Sequence, residues 1–136
     1  MNREQAVAFV EGYGQTWQAW NSKGFADLFT DDVVYVAHPI DETVVGRTAL
    51  LAYVEKEAAV QGEVVVQMGS PVIEGNRVAA EFWVTCSDAP GATITGCFIA
   101  RLDTDGRCSQ FREYWFDTDG SAPSYDGWGD QPAPTE

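Results

Sequence analysis

Two hydrophobic periods divide the chain. Up to about Gly62 the apolar residues recur mostly at steps of three and four, and beyond it they recur at every second position as far as Asp117. Val10, Tyr13, Trp17 and Trp20, with Ala6 and Phe9 alongside, make one face of a helix over residues 3–20, for which Asn2 is the cap and Gln5 its capping partner. Gly12 and Gly14 inside that helix each cost about 1 kcal/mol relative to Ala, so tertiary packing or a close approach to the backbone is expected there. Gly24 reads as the stop. Phe25 to Phe29 reads as a short second helix ended by Thr30-Asp31-Asp32, and Val33 to Ala37 as a strand that Pro39 turns away from helical geometry at His38. A loop runs to Gly46. Leu50, Leu51, Val54 and Ala58 then place a third helix over Arg47 to Gln61, with Glu55, Lys56 and Glu57 largely on its other side and Gly62 beyond its end.

The alternating part predicts four long strands joined by hairpins. They run over Glu63 to Glu74, with a bulge or edge at Pro71; Arg77 to Ser87, after the turn Gly75-Asn76; Thr93 to Leu102, after Ala89-Pro90-Gly91; and Arg107 to Asp117, after Asp103-Thr104-Asp105-Gly106. Helices followed by such a run predict an α+β domain with the helices packed on one face of a strongly curved antiparallel sheet. The last strand, RCSQFREYWFD, reads as central, because small or polar residues alternate with large aromatic ones as a strand packed on both faces requires, and with Arg112, Glu113 and Tyr114 among Phe111, Trp115 and Phe116 it takes ionisable groups toward an interior. The domain is expected over 1–118. Residues 119–136 form an acidic, Pro- and Gly-rich tail, whose anchors, if it docks, are Tyr125 and Trp128.

Composition narrows the function. At 136 residues and 45% hydrophobic content the chain can bury one core, and five Trp, five Tyr and seven Phe suit either a sheet core or an apolar cavity. A net charge of −13 excludes nucleic acid and anionic membrane as partners, and reads as solubility ahead of attraction for a cationic ligand. Neither a long apolar span nor a signal-peptide pattern occurs, so a cytoplasmic location is expected. Cys86, Cys97 and Cys108 are too few and too scattered for a disulfide framework, and a single histidine, His38, without HxxxH or CxxC spacing makes a metal site unexpected.

Asp31-Asp32-Val33 before the first strand, Val45-Gly46-Arg47 before the third helix, and Gly106-Arg107 leading to Arg112-Glu113-Tyr114-Trp115 give the chain a resemblance to the nuclear transport factor 2-like superfamily, and within it to the SnoaL-like group. The resemblance covers about residues 3–117. It implies a cone-shaped α+β barrel of the cystatin-like type with a pocket between sheet and helices, a setting used by isomerases, cyclases, dehydratases, epoxide hydrolases and binding proteins. Tyr13 falls where ketosteroid isomerases hold an oxyanion-donating tyrosine, and His38, or Ala37, falls where they hold a base. Their second acid is replaced by Phe98. Glu113 matches a catalytic aspartate in the last strand of limonene-epoxide hydrolases and Tyr35 a pocket tyrosine, whereas Phe82 and Val84 replace the arginine and aspartate of that site.

Strand alternation then sets an inner face of Phe111, Glu113 and Trp115, of Ile94, Gly96 and Phe98, of Val78, Ala80, Phe82 and Val84, and of Tyr35 and Ala37. The expected catalytic groups are Glu113, Tyr13 and His38, and the expected ligand-binding residues are Tyr35, Trp17, Phe82, Phe98, Phe111 and Trp115. Glu113 could equally be a strut, ion-paired with Arg112, Arg101 or Arg107. The expected activity is cofactor-free proton transfer on a small hydrophobic molecule, and the rival is a non-catalytic binding or dimerisation module. Thr93, Thr95, Ile99, Ala79 and Trp83 make the outer sheet face apolar enough to predict a homodimer through it.

Overall fold

The computed structural model describes residues 1–40, 42–88 and 91–130. Helix α1 (Arg3–Gln18) opens on the expected capping box, in which the Asn2 side chain accepts from the Gln5 N–H at 2.8 Å and the Gln5 side chain accepts from the Asn2 N–H at 2.9 Å. It ends at Gln18 with Ala19 as its C-cap, and Trp20, with φ of +50°, turns the chain away four residues before Gly24. Gly24 lies instead inside α2 (Ser22–Ala26), where its N–H donates to the capping Asn21 side chain. The second helix therefore precedes the expected one, and Phe29 to Asp32 belong to strand β1 (Phe29–His38), because Phe29 is fully buried at the strand's start. Gly14 is a site of close approach: a Cβ there would meet Met68 Cγ at 2.6 Å, so the missing side chain lets α1 lie against the sheet.

A short strand, β2 (Glu42–Val45), forms where the sequence reads as loop; it pairs antiparallel with β1, Tyr35 opposite Val44. Helix α3 (Arg47–Gln61) follows as expected. The strand expected over Glu63 to Glu74 is divided into β3 (Val64–Met68) and β4 (Val72–Glu74), which both pair with β5 (Arg77–Cys86) on either side of the break at Gly69 to Pro71. Strands β6 (Ala92–Leu102) and β7 (Cys108–Asp119) complete the sheet, in the order β2-β1-β7-β6-β5-β3. The turn expected at Ala89-Pro90-Gly91 lies, apart from Gly91, outside the described residues. Strand β7 is central. It pairs antiparallel with β6 and parallel with β1, the one parallel pair among the described residues of an otherwise antiparallel sheet that curls around the helices without closing.

The core lies between the helices and the inner sheet face. Val78, Phe82, Val84 and Phe98 are fully buried, as alternation requires, against Ala6, Phe9 and Val10 of α1. On the outer face, residues 120–130 return across β5 and β6. Thr93 Oγ1 donates to the Gly120 carbonyl at 2.7 Å and accepts from the Ala122 N–H at 2.9 Å, while the Trp83 indole donates to the Ala122 carbonyl. Trp128, in the 3-10 turn Trp128–Asp130, is buried edge-on against Trp83, and Tyr125 packs on the same ring while staying largely exposed. The Ser70 N–H donates to the Gly129 carbonyl at 2.8 Å, so the tail is fastened at the break between β3 and β4.

Candidate functional site

Alternation along β7 sends Phe111, Glu113 and Trp115 to the inner side in sequence, and puts Glu113 beneath the middle of α1. Tyr13 reaches it from that helix, with Trp17 one turn on, and Tyr35 reaches it from β1. Tyr13 donates to Glu113 Oε2 at 2.9 Å and Tyr35 donates to Oε1 at 2.8 Å, so each carboxylate oxygen accepts one phenol. The structural alternative, a pairing with Arg112, Arg101 or Arg107, does not occur among the described residues: the ion pairs there are Arg47 with Asp31 and Arg77 with Glu74.

These groups form the floor of a cavity of about 280 Å³, near the lower end of the roughly 300–1,000 Å³ usual for small-molecule sites. Trp17, Trp20, Phe25, Phe82 and Trp115 supply its aromatic walls. Helix α3 adds Tyr53, Glu57 and Gln61, which fall four residues apart on one helical face. Hydrogen bonds tie the end of α1 to the end of α3 at the mouth: the Trp17 indole donates to Gln61 Oε1 at 3.0 Å and the Trp20 indole to the Gly62 carbonyl, while within α3 Gln61 Nε2 donates to Glu57 Oε2 at 3.2 Å.

Burial pushes the Glu113 carboxyl up to about 7, against the two tyrosine hydrogen bonds, which favour the carboxylate; the charges of Glu57 and Glu42 add to the rise. Tyr13 and Tyr35 are both raised well above the ordinary phenol value, first by burial and then by the charge of Glu113, so they remain neutral donors. The arrangement is a carboxyl group able to gain and lose a proton near neutral pH, in an aromatic pocket, with both of its oxygens already oriented.

Tyr13, Trp17, Tyr35, Phe82, Glu113 and Trp115 all line this cavity. Phe98 and Phe111 do not. Tyr13 covers Phe98, with ring centroids 4.9 Å apart, and Tyr35 stacks on Phe111 at 4.6 Å and 7°, so both phenylalanines support the tyrosines from the closed end of the core. His38 is also outside the lining. Burial alternates along β1, with Val33, Tyr35 and Ala37 inside, so His38 falls in the other phase, and its imidazole packs edge-on to Trp115 while Nδ1 accepts the Ile40 N–H. Tyr53, Glu57, Gln61 and the rim residue Asp117 were not among the expected site residues. The spacing of four from Tyr53 to Gln61 was visible, but the apolar stripe through Leu50 and Val54 drew Glu57 to the solvent side of the reading, whereas it stands half-buried at the mouth.

Helices laid on a curled, open sheet with a pocket between them define the nuclear transport factor 2-like class of α+β proteins. The chain belongs to the SnoaL-like domain family, whose model matches residues 10–111. No curated protein matches it in sequence. Among solved structures it is similar to RV0760c of Mycobacterium tuberculosis, at 18% identity and a TM-score of 0.75 over 88% of this chain and 99% of that one. RV0760c has also been solved with estradiol-17beta-hemisuccinate. SalBIII, an epoxide hydrolase/cyclase-like enzyme of pyran ring formation in the polyether salinomycin, is 16% identical with a TM-score of 0.72 over 85% and 93% of the two chains. A putative ketosteroid isomerase from Kribbella flavida is 21% identical with a TM-score of 0.70 over 98% and 93%. At these identities the likeness is one of fold.

Proposed function

We propose that this SnoaL-like protein is an enzyme that moves a proton on a small, mostly hydrophobic molecule without a cofactor, in an isomerisation, cyclisation, dehydration or hydration, with Glu113 as the base. The observation that carries the reading is the Glu113 carboxyl at the floor of an aromatic cavity, raised to about 7 and held by two phenols, with no arginine paired to it among the described residues. A structural carboxylate in a sheet is normally paired with a cation; this one is kept where its proton is exchangeable. Each tyrosine has one proton to donate, and both are given to Glu113 in the resting state. Once Glu113 takes a proton from the substrate it becomes a weaker acceptor, and a released phenol can turn its O–H toward the substrate oxygen on which charge develops. Tyr13 and Tyr35 are thus the oxyanion donors of the same step that protonates the base.

The ligand of RV0760c, a steroid ester, and the epoxide chemistry of SalBIII support a hydrophobic substrate of ring-forming or ring-bearing type. The rival reading, a binding module, is favoured by the absence, among the described lining residues, of a second acid buried as Glu113 is. The proposal includes a homodimer through the outer sheet face, where Tyr114 and Phe116 stay exposed beside the docked tail, and a cytoplasmic setting without nucleic-acid partners, as the net charge of −13 favours. No helix among the described residues is long and apolar enough to cross a membrane.

The test begins with the ligand that copurifies with the protein, identified by native mass spectrometry, and follows its turnover. Wild type should show a rate that rises with pH through an apparent pKa near 7, and Glu113→Gln should lose at least about a hundredfold in kcat. Undiminished turnover in Glu113→Gln overturns the assignment; binding without turnover in wild type establishes the module.

A further inference from the structure

The charge inside the cavity has one sign. Three carboxylates line it at three depths: Glu113 buried at the floor, Glu57 half-buried on α3, and Asp117 exposed at the rim of β7. Among the described lining residues there is no lysine, arginine or histidine, and more than half of that lining is aromatic. An anionic ligand would be repelled along the whole path. A purely neutral one would remove water from the half-buried Glu57 and offer nothing in its place. A metal ion is not suited either, since no three His, Cys, Asp or Glu side chains among the described residues are grouped closely enough to hold one.

We infer that the pocket takes an organic cation, a hydrophobic molecule carrying a protonated amine or a quaternary ammonium, whose charge is met by Glu57, Asp117 and Glu113 and whose carbon surface lies on Trp17, Trp20 and Trp115. Aromatic rings attract such a cation through their quadrupole, most strongly when it is desolvated, and a soft ammonium loses less hydration on entry than a metal ion does. The charge of the whole chain, −13, works in the same direction by steering cations toward the molecule. The acidity that composition alone assigns to solubility thus has a local counterpart at the ligand site. The inference rests on the reading of this cavity as a ligand site, and narrows its substrate class.

A pair of isosteres tests it. Phenyltrimethylammonium and tert-butylbenzene have nearly the same shape and differ in charge; each is titrated into the full chain at pH 7.5, followed by tryptophan emission and calorimetry. The cation should bind about tenfold more tightly or better. In the double variant Glu57→Gln/Asp117→Asn the cation should weaken about fivefold or more while tert-butylbenzene stays within about twofold, so the neutral probe itself reports an intact pocket. Equal or tighter binding of the neutral probe, no binding of the cation, or an unchanged cation affinity in the double variant overturns the inference. Its failure is distinguishable from failure of the proposed chemistry: Glu113 titrating near 7 and driving turnover would keep the acid–base reading with a neutral substrate. Glu113 titrating below pH 5 would remove that reading while the cation preference stood.

Discussion

The two halves of β7 follow one alternation and meet two different surroundings. In the first, Cys108 and Phe111 enter a closed core where Phe9, Phe29, Phe98 and Phe111 meet mostly edge to face or tilted at 5.0 to 6.4 Å. In the second, Glu113 and Trp115 face an opening, and Trp115 remains 38% exposed. The N-terminal half of α1 covers the first, whereas its C-terminal half reaches across to α3 and leaves space beneath. Gly96, opposite Trp115, marks the boundary: a Cβ there would meet the Tyr114 carbonyl at 2.1 Å and Trp115 Cα at 2.8 Å, so the backbone of β7 lies against β6 with no side chain between them where core gives way to pocket. The closed half supplies stability, and the open half takes the polar groups that a close-packed core would reject.

The largest effect that would break this contrast is on stability. Phe98→Ala should cost about 3–5 kcal/mol in chemical denaturation, since it empties a fully buried site under Tyr13, while Trp115→Ala should cost about 1 kcal/mol despite the larger side chain. Equal losses would mean that the open half is packed as tightly as the closed one. The outer face offers a third surrounding to compare. Removing residues 120–136 should cost roughly 2–3 kcal/mol and shift tryptophan emission, because the buried Trp128 indole is removed and Trp83 loses both that ring and its carbonyl partner. An unchanged melting temperature would make the tail a passenger.

Next in size is Glu113→Gln, which acts in the stabilising direction. Glu113 rises to about 7 on folding from an ordinary 4.5, so its neutral form is the one the fold prefers. The stabilisation is fully present below pH 4.5 and lost as pH climbs to about 7; over that window it amounts to about 3 kcal/mol. Gln keeps the shape without the ionisation, though one phenol must trade its acceptor, so melts should show wild type and variant alike at pH 4 and the variant about 1–2 kcal/mol more stable at pH 8. A variant less stable at pH 8 would return Glu113 to the role of a strut.

What could be read from sequence follows the same division. The inner faces of β5, β6 and β7 were legible because burial on one side of a sheet enforces strict alternation, and Glu113 stood out as an ionisable residue in phase with Phe111. The capping box of Asn2 and Gln5 was legible because it is local. Lost were the features decided by contacts remote in sequence: that Tyr13 and Tyr35 both turn to Glu113, that Phe98 lies behind Tyr13, and that Glu57 faces the cavity. His38 was a candidate through the resemblance to ketosteroid isomerases, whereas alternation puts Ala37 inward in phase with Tyr35, and the structure follows the alternation.

The smallest effect tests the hydrogen bonds that separate pocket from core. Tyr35→Phe keeps the ring that stacks on Phe111 and removes only the donor at 2.8 Å from Glu113 Oε1. That bond favours the carboxylate over the acid, so its loss should leave Glu113 titrating above its present value of about 7, with burial now less opposed. The stability carried by the protonated form then persists to higher pH before it is lost, and the fold is weakened chiefly where the carboxylate is ionised, by about 1 kcal/mol at pH 8 and less at pH 5. Carbon NMR of the Glu113 carboxyl across pH 4 to 9 reads this directly. If the titration of the variant coincides with that of wild type, Tyr35 does not donate to Glu113 in solution. The poised carboxyl would then owe its position to Tyr13 and burial alone, and the open half of β7 would need only one phenol to hold its charge.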